Sequence, residues 1–285
     1  MFKDGDIMHG KTIEIFLANG TADGIVTAEI SNWNGKVIKI PRNVVDICGK
    51  EFEETKDAGV YLLLVNDELT NRLVSIYVGE SENVLERLKE HIQSFNSENG
   101  KENFYWHTAL AFVGKDLNKA NIRFIESELS KIIQQNGRYK ILNKYYNNIS
   151  MKKSHIAAAL EFIDNIKMVI NAMGYFVLKE IGEGKESADL LSCNVEGKVA
   201  TGFVSSGGFT VLKGSGVSSN IVPSLSKGYK KLRDNLEQSK IIVNNEFVKD
   251  YEFNSPSAAA SVVRGGSASG NMTWKNSEGV LLKDL

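Results

Sequence analysis

A chain of 285 residues is too long for one ordinary small domain, so two compact units of roughly 100–150 residues plus accessory structure are expected. Apolar residues at 42% and charged residues at 24% exclude a disordered chain. With 34 basic against 35 acidic side chains, the net charge of −1 excludes a global field drawing in nucleic acid or membrane, so such a partner must meet a local patch. The opening MFKDGDIMHG carries charges where a signal peptide needs its apolar stretch. No run approaches the ~20 apolar residues of a bilayer span, so the chain reads as cytoplasmic, with no membrane partner. Cys48 and Cys193 lie far apart and outside any metal-ligand spacing, which reads as two small buried hydrophobes.

Residues 11–47 alternate β-prone runs with turns: Thr12 to Leu17, Gly24 to Ile30 and Lys36 to Ile40, with Asn34-Gly35 as hairpin signal. This predicts a small antiparallel β unit over residues 1–50. Pro41 ends its last strand, and the acidic stretch 51–57 reads as a connector. A more buried hairpin follows, with strands Val60 to Val65 and Leu73 to Val78 around an Asn66-Asp67-Glu68 turn. After Gly79, with Ser81 as expected cap, Val84, Leu88, Ile92 and Phe95 recur on one helical face. A third run, Thr108 to Val113, leads to a helix from about Lys119 to Gln135, completing a β-β-α-β-α unit over 58–145. Ser154 opens a connecting or docking helix, within 150–175, whose stripe includes Ile156, Leu160, Ile163 and Ile166 and which Gly174 terminates. Gly182 to Lys185 is linker-like, and a glycine-rich α+β domain occupies 183–285. The overall expectation is an α/β (α+β) protein.

Chemistry concentrates in the second hairpin and its helices. Paired strands bring Tyr61 and Tyr77 together at the mouth of the following helix. On that helix Arg87 and His91 share a face. On the later helix the buried stripe of Ile122, Ile125, Leu129, Ile132 and Ile133 leaves Glu126 beside it, directed toward the sheet margin, with Glu128 at the opposite margin as the weaker candidate.

Gly59-Val60-Tyr61, then Tyr77-Val78-Gly79 running on through Arg87 to His91, then Phe124-Ile125-Glu126, then Gly137 through Asn143, resemble the GIY-YIG nuclease family in order, spacing and placement. The resemblance implies an antiparallel sheet flanked by helices and hydrolysis of phosphodiester bonds in DNA with one divalent ion, Mg²⁺ or Mn²⁺, on Glu126. Such an ion prefers oxygen ligands and often takes a single protein carboxylate beside a phosphate. Arg87 would neutralise charge building on the phosphoryl oxygens. Tyr61 would be general base or would orient the attacking water, assisted by Tyr77. An ordinary tyrosine titrates at about 10, so that role needs a nearby cation. His91 supplies such help, contacts the scissile phosphate, or is an exposed helix histidine. Gly59, Gly79 and Asn143 would support the site's shape. Fifteen residues separate Tyr61 from Tyr77, more than the family's usual hairpin, which points to an enlarged tip between Asn66 and Arg72 that alters access.

The opening Gly24 to Ile30 with Asn32-Trp33, and the closing Phe209 to Ser215, Ser255 to Ala260 and Trp274-Lys275, resemble bacterial proteins that place this nuclease ahead of an uncharacterised domain. In that tail Ser255-Pro256 reads as a helix start and Arg264-Gly265-Gly266 as its end. Lys227, Lys230, Lys231 and Arg233 around Tyr229 form either a phosphate-binding face or a solvated helix face. The glycines at 207–208 and 214–216 fit no phosphate loop. Two rivals to the nuclease stand: a non-cleaving nucleic-acid-binding module, and a protein-interaction factor working through its flanking domains. Residues 58–145 hold 11 basic and 11 acidic side chains, which does not favour non-specific affinity for a polyanion.

Overall fold

The computed structural model describes residues 10–67, 73–98, 100–136, 138–143, 149–179, 190–205 and 207–285. The start at 1–9, most of the hairpin tip and the linker-like 182–185 lie outside the described residues. The chain is mixed α/β and divides into two compact units, Met1–Leu178 and Lys179–Leu285.

In the first unit the strands are β1 (Ile13–Leu17), β2 (Val26–Ile30), β3 (Gly35–Pro41), β4 (Gly59–Asn66), β5 (Leu73–Ser81), β6 (Thr108–Gly114) and β7 (Lys140–Ile141). They form one seven-stranded sheet in the order β1-β2-β3-β6-β4-β5-β7. The β-rich opening therefore continues the sheet of the following segment: β3 pairs antiparallel with β6 from Gly35↔Gly114 to Pro41↔Thr108. The reason is visible in β3, where Val37, Ile38 and Ile40 are all buried, so both faces of that strand need a covering layer.

Strand alternation sorts the side chains into two cores. Val60, Leu62 and Leu64 of β4 meet α3 (Lys119–Asn136) and α4 (Lys153–Ala172), while Tyr61 and Leu63 face α1 (Val45–Glu51) and α2 (Val84–Asn96). Helix α4 is thus part of the first unit, packed on α3, β2 and β3 through Phe162, Ile163, Ile166, Val169 and Ile170. Leu160, expected in its stripe, is exposed.

Two local expectations change. The left-handed residue between β2 and β3 is Asn32 (φ 66°), whereas Gly35 lies in the strand because a Cβ there would sit 2.3 Å from the Trp33 ring. Helix α2 is capped by Asn83, whose side chain accepts from the Glu86 amide at 3.1 Å. Ser81 is still in β5, and its hydroxyl accepts from the Asn83 amide, bracing the cap residue.

In the second unit β8 (Leu191–Val195), β9 (Lys198–Ser205), β10 (Gly208–Val211) and β13 (Tyr251–Phe253) form an antiparallel sheet in the order β13-β10-β9-β8, beside a small β11 (Ile242–Val243) and β12 (Glu246–Phe247) ladder. Two-residue turns with left-handed residues, Glu196-Gly197 and Asn244-Asn245, close the β8–β9 and β11–β12 hairpins. Helices α5 (Lys227–Gln238), α6 (Pro256–Arg264) and α7 (Gly270–Thr273) complete the unit. Helix α6 has the expected ends, with Ser255 accepting from the Ala258 amide and Gly265 left-handed at φ 67°. Trp274 lies on Phe209 with ring centres 4.4 Å apart, and its Nε1–H donates to the Pro256 carbonyl at 3.0 Å. Both cysteines are buried and free.

Candidate active site

The β4–β5 ladder places Tyr61 opposite Gly79 and Leu63 opposite Tyr77. Tyr61 lies across Gly79 so closely that a Cβ there would stand 2.3 Å from the phenol oxygen. Gly59 is held just as tightly, its virtual Cβ being 2.5 Å from the Phe112 carbonyl. Both glycines are required by close approach, with no positive φ involved.

Tyr61 and Tyr77 stack at 6.3 Å between ring centres, and His91 of α2 meets both edge-on, at 5.5 and 5.0 Å. Tyr61 Oη and His91 Nε2 are 2.8 Å apart. His91 is buried, so the exposed-helix alternative falls away: its ring lies on the α2 face that covers the sheet. On its other side His91 Nδ1 meets the Glu102 carboxylate.

Arg87 is near enough to both phenols for its charge to oppose the rise in their pKa values. Its own side chain is 40% exposed and pairs with Glu90 at 2.6 Å, whereas Tyr61 is fully buried. Burial draws the Arg87 pKa down, but Glu90 and the two phenols bring it above the ordinary arginine range. Burial pushes Tyr61 well above the usual tyrosine range, with Tyr77 adding to the rise and Arg87 opposing it. Tyr77, half-buried, is raised in the same way.

Glu126 comes from α3, on the other face of the sheet, and is electrostatically coupled to both tyrosines. Burial, followed by the nearby Glu80, pushes its carboxyl up to about 7, against Lys119 and Arg123. Those two cations are held by Glu80, at 2.8 Å from Lys119 and 3.6 Å from Arg123. Glu128, by contrast, is tied to Lys131 at 2.6 Å. Asn143 clamps onto β5 beside Gly79, its amide donating to the Val78 carbonyl at 2.7 Å and accepting from the Val78 amide at 3.0 Å. The structure thus gathers Tyr61, Tyr77, Arg87 and His91 on the α2 side, with Asn143 bracing β5, and brings Glu126 up from the α3 side.

The basic cluster of the second unit divides. Lys227, Lys230 and Lys231 are exposed on α5, but Arg233 is buried and corrects the expectation of a four-residue face. It points inward because Nη2 donates to the Ser218 carbonyl at 2.6 Å and Nε to Glu237 at 3.0 Å.

Sequence reasoning missed Glu102, Glu80 and Arg42. Glu102 and the aromatics beside it lie in an irregular stretch before β6, where no periodicity marks an inward residue. Arg42 is buried against Phe95, Tyr105 and Trp106 at 4.5–5.1 Å from their ring centres.

Among the described residues no group of three His, Cys, Asp or Glu side chains could hold a metal ion. No helix among them is long and apolar enough to cross a membrane. Residues 191–285 match the model of a domain of unknown function, DUF4357. No curated protein and no solved structure matches the chain.

Proposed function

We propose that the first unit is a GIY-YIG-type nuclease domain and that the protein is an endonuclease, hydrolysing phosphodiester bonds of DNA with one Mg²⁺ or Mn²⁺ ion. One observation carries the reading: Tyr61, Tyr77, Arg87 and His91, scattered over 31 residues of sequence, meet in one cluster that is electrostatically coupled to Glu126. Packing alone does not call for two phenols, an imidazole and a guanidinium gathered at one place.

The donor set fits a hard cation. Glu126 is buried, and no hydrogen-bond donor among the described residues is paired with its carboxylate. A single carboxylate with waters and a phosphate is a common arrangement for Mg²⁺. When bound, such an ion supplies charge stabilisation to the phosphoryl oxygens. Arg87 binds a phosphate oxygen. Tyr61 orients the attacking water, and Tyr77 helps to hold the water's position. Asn143 and Gly79 keep the β5 backbone in place beneath the two rings. Lys227, Lys230 and Lys231 offer an exposed phosphate-contacting edge on the second unit.

The test is incubation of the full chain with supercoiled plasmid in Mg²⁺, Mn²⁺ or chelator, beside Glu126→Gln. Metal-dependent nicking absent from the variant is the expected result. The even charge of residues 58–145 favours a second reading, a binding module that does not cut. DNA binding that is equal in both proteins, with no cleavage under any condition, would establish it. No DNA binding even at low salt would leave the protein-interaction reading.

A further inference from the structure

Glu102 enters no family motif noted above, yet it sits at the end of a hydrogen-bonded chain that starts at the candidate nucleophile's base. Its side chain is 14% exposed and reaches His91 Nδ1 through Oε1, while Oε2 is buried with no hydrogen-bond partner. A half-satisfied buried carboxylate is costly, and natural structures keep such groups where they serve a purpose. The segment that carries it is firmly anchored. Phe104 stacks on Tyr77 at 5.8 Å, Trp106 is fully buried, and the His107 amide donates to the Leu64 carbonyl at 2.8 Å. The Arg42 guanidinium, caged by three rings, lies within electrostatic range and balances the buried negative charge.

Each link of the chain has one consistent direction. The Glu102 carboxylate only accepts, so the ring hydrogen of a neutral His91 lies on Nδ1 and Nε2 is left to accept from the Tyr61 hydroxyl. A neutral imidazole that accepts at Nε2 carries its hydrogen on Nδ1, and that hydrogen meets an acceptor-only carboxylate in Glu102.

Resting on the nuclease reading above, we propose that Glu102 is a positioning residue that holds His91 in the Nδ1–H form, so that Tyr61, His91 and Glu102 act as an inward proton relay. In the step, the attacking water's O–H bond breaks and its proton bonds to Tyr61 Oη. At the same time the Tyr61 O–H bond breaks and its proton bonds to His91 Nε2. The water oxygen bonds to phosphorus as the bond to the leaving oxygen breaks, and the leaving oxygen takes a proton from solvent. The imidazolium so formed is stabilised by Glu102 and returns its proton to solvent after product release. No free phenolate forms, which removes the obstacle raised by Tyr61's burial.

The test combines a spectrum and a rate. In ¹⁵N-labelled full chain without DNA or metal, long-range ¹H–¹⁵N correlation at neutral pH is expected to show His91, assigned by its loss in His91→Gln, with hydrogen on Nδ1 only. Glu102→Ala abolishes that preference. Glu102→Gln keeps an acceptor but no charge, so its single-turnover plasmid nicking falls on the order of 100-fold. Its KM stays within about twofold, because the relay acts in the transition state and not in substrate binding. Its melting temperature matches wild type, and Glu102→Asp recovers part of the rate. Hydrogen on Nε2 in the wild type, neutral or doubly protonated, overturns the relay, as does full activity in a folded Glu102→Gln. Absence of cutting by the wild type counts instead against the nuclease reading, and the tautomer then judges the relay's geometry by itself.

Discussion

In the second unit the large aromatic Trp274 lies flat on Phe209 and hands its one polar hydrogen to the Pro256 carbonyl. At the β5 edge of the first unit, polar groups cluster around the buried Tyr61 and the half-buried Tyr77, and Glu102 and Arg42 each keep a buried atom without a partner. The first arrangement closes a core. The second keeps charge and hydrogen-bonding capacity where an apolar filling would be more stable. The contrast teaches where to look for function: a buried Arg233 with Nη2 on Ser218 and Nε on Glu237 reads as a brace although its Nη1 has no partner, and a buried Glu126 whose carboxylate has no such bonds reads as a site.

Substitutions in the two regions are expected to separate activity from stability. The largest effect is on cleavage: Arg87→Ala lowers metal-dependent nicking on the order of 1000-fold while shifting the melting temperature little. Retained nicking in that variant would break the comparison from the functional side. Next, Trp274→Ala destabilises the second unit by about 3–5 kcal/mol, read by chemical denaturation, because it removes a buried ring and orphans its neighbours. A loss under 1 kcal/mol would show that this core is less closed than its packing indicates. Gly79→Ala forces Tyr61 aside and costs about 1–3 kcal/mol, together with loss of the Tyr61–His91 hydrogen bond by NMR.

Glu126→Gln sharpens the contrast with a change of opposite sign. The Glu126 carboxyl is pushed from its ordinary value up to about 7 in the folded chain, so ionisation opposes folding. Wild-type stability relative to the variant is therefore greatest at acid pH and declines as pH rises from about 4.5 through about 7. At pH 8 the variant is expected to be more stable by about 1–3 kcal/mol. Thermal melting of both proteins from pH 4 to pH 8 checks this, and a stability difference between variant and wild type that stays the same across that range would contradict it. The smallest effect belongs to Lys227, Lys230 and Lys231, whose joint replacement by Ala changes stability by no more than about 0.5 kcal/mol.

How much of this was legible in the sequence follows from how far each feature depends on local pattern. The strands β4, β5 and β6 and the helices α2, α3, α4 and α6 announce themselves through alternation, apolar stripes and caps, and each is found within a residue or two of its expected span except β5, which runs three residues past Val78 to Ser81. Helix α1 escaped because it is short and holds Gly49, a glycine present because Leu85 packs where a Cβ would be. The union of β3 with β6 could not be read, since pairing between distant strands leaves no local trace. At the site, helical phase is enough to turn Arg87, His91 and Glu126 inward. Glu102 and Arg42 lie outside any regular period, and only the fold brings Glu102 to His91 and Arg42 to the rings of Phe95, Tyr105 and Trp106. Arg233 shows the reverse error: a basic run on a helix looks like one face until the phase turns one member inward.

In the proposed nuclease Arg87, on the α2 side of the sheet, and Glu126, on the α3 side, serve a single reaction centre. Single-turnover plasmid nicking in Mg²⁺ by wild type, Arg87→Ala, Glu126→Gln and the double variant tests it most directly. The account predicts metal-dependent cleavage by the wild type, a severe loss in each single variant, and a double variant scarcely worse than either, as groups acting as a unit behave. Full cleavage by Glu126→Gln, or losses that simply multiply in the double variant, would contradict it.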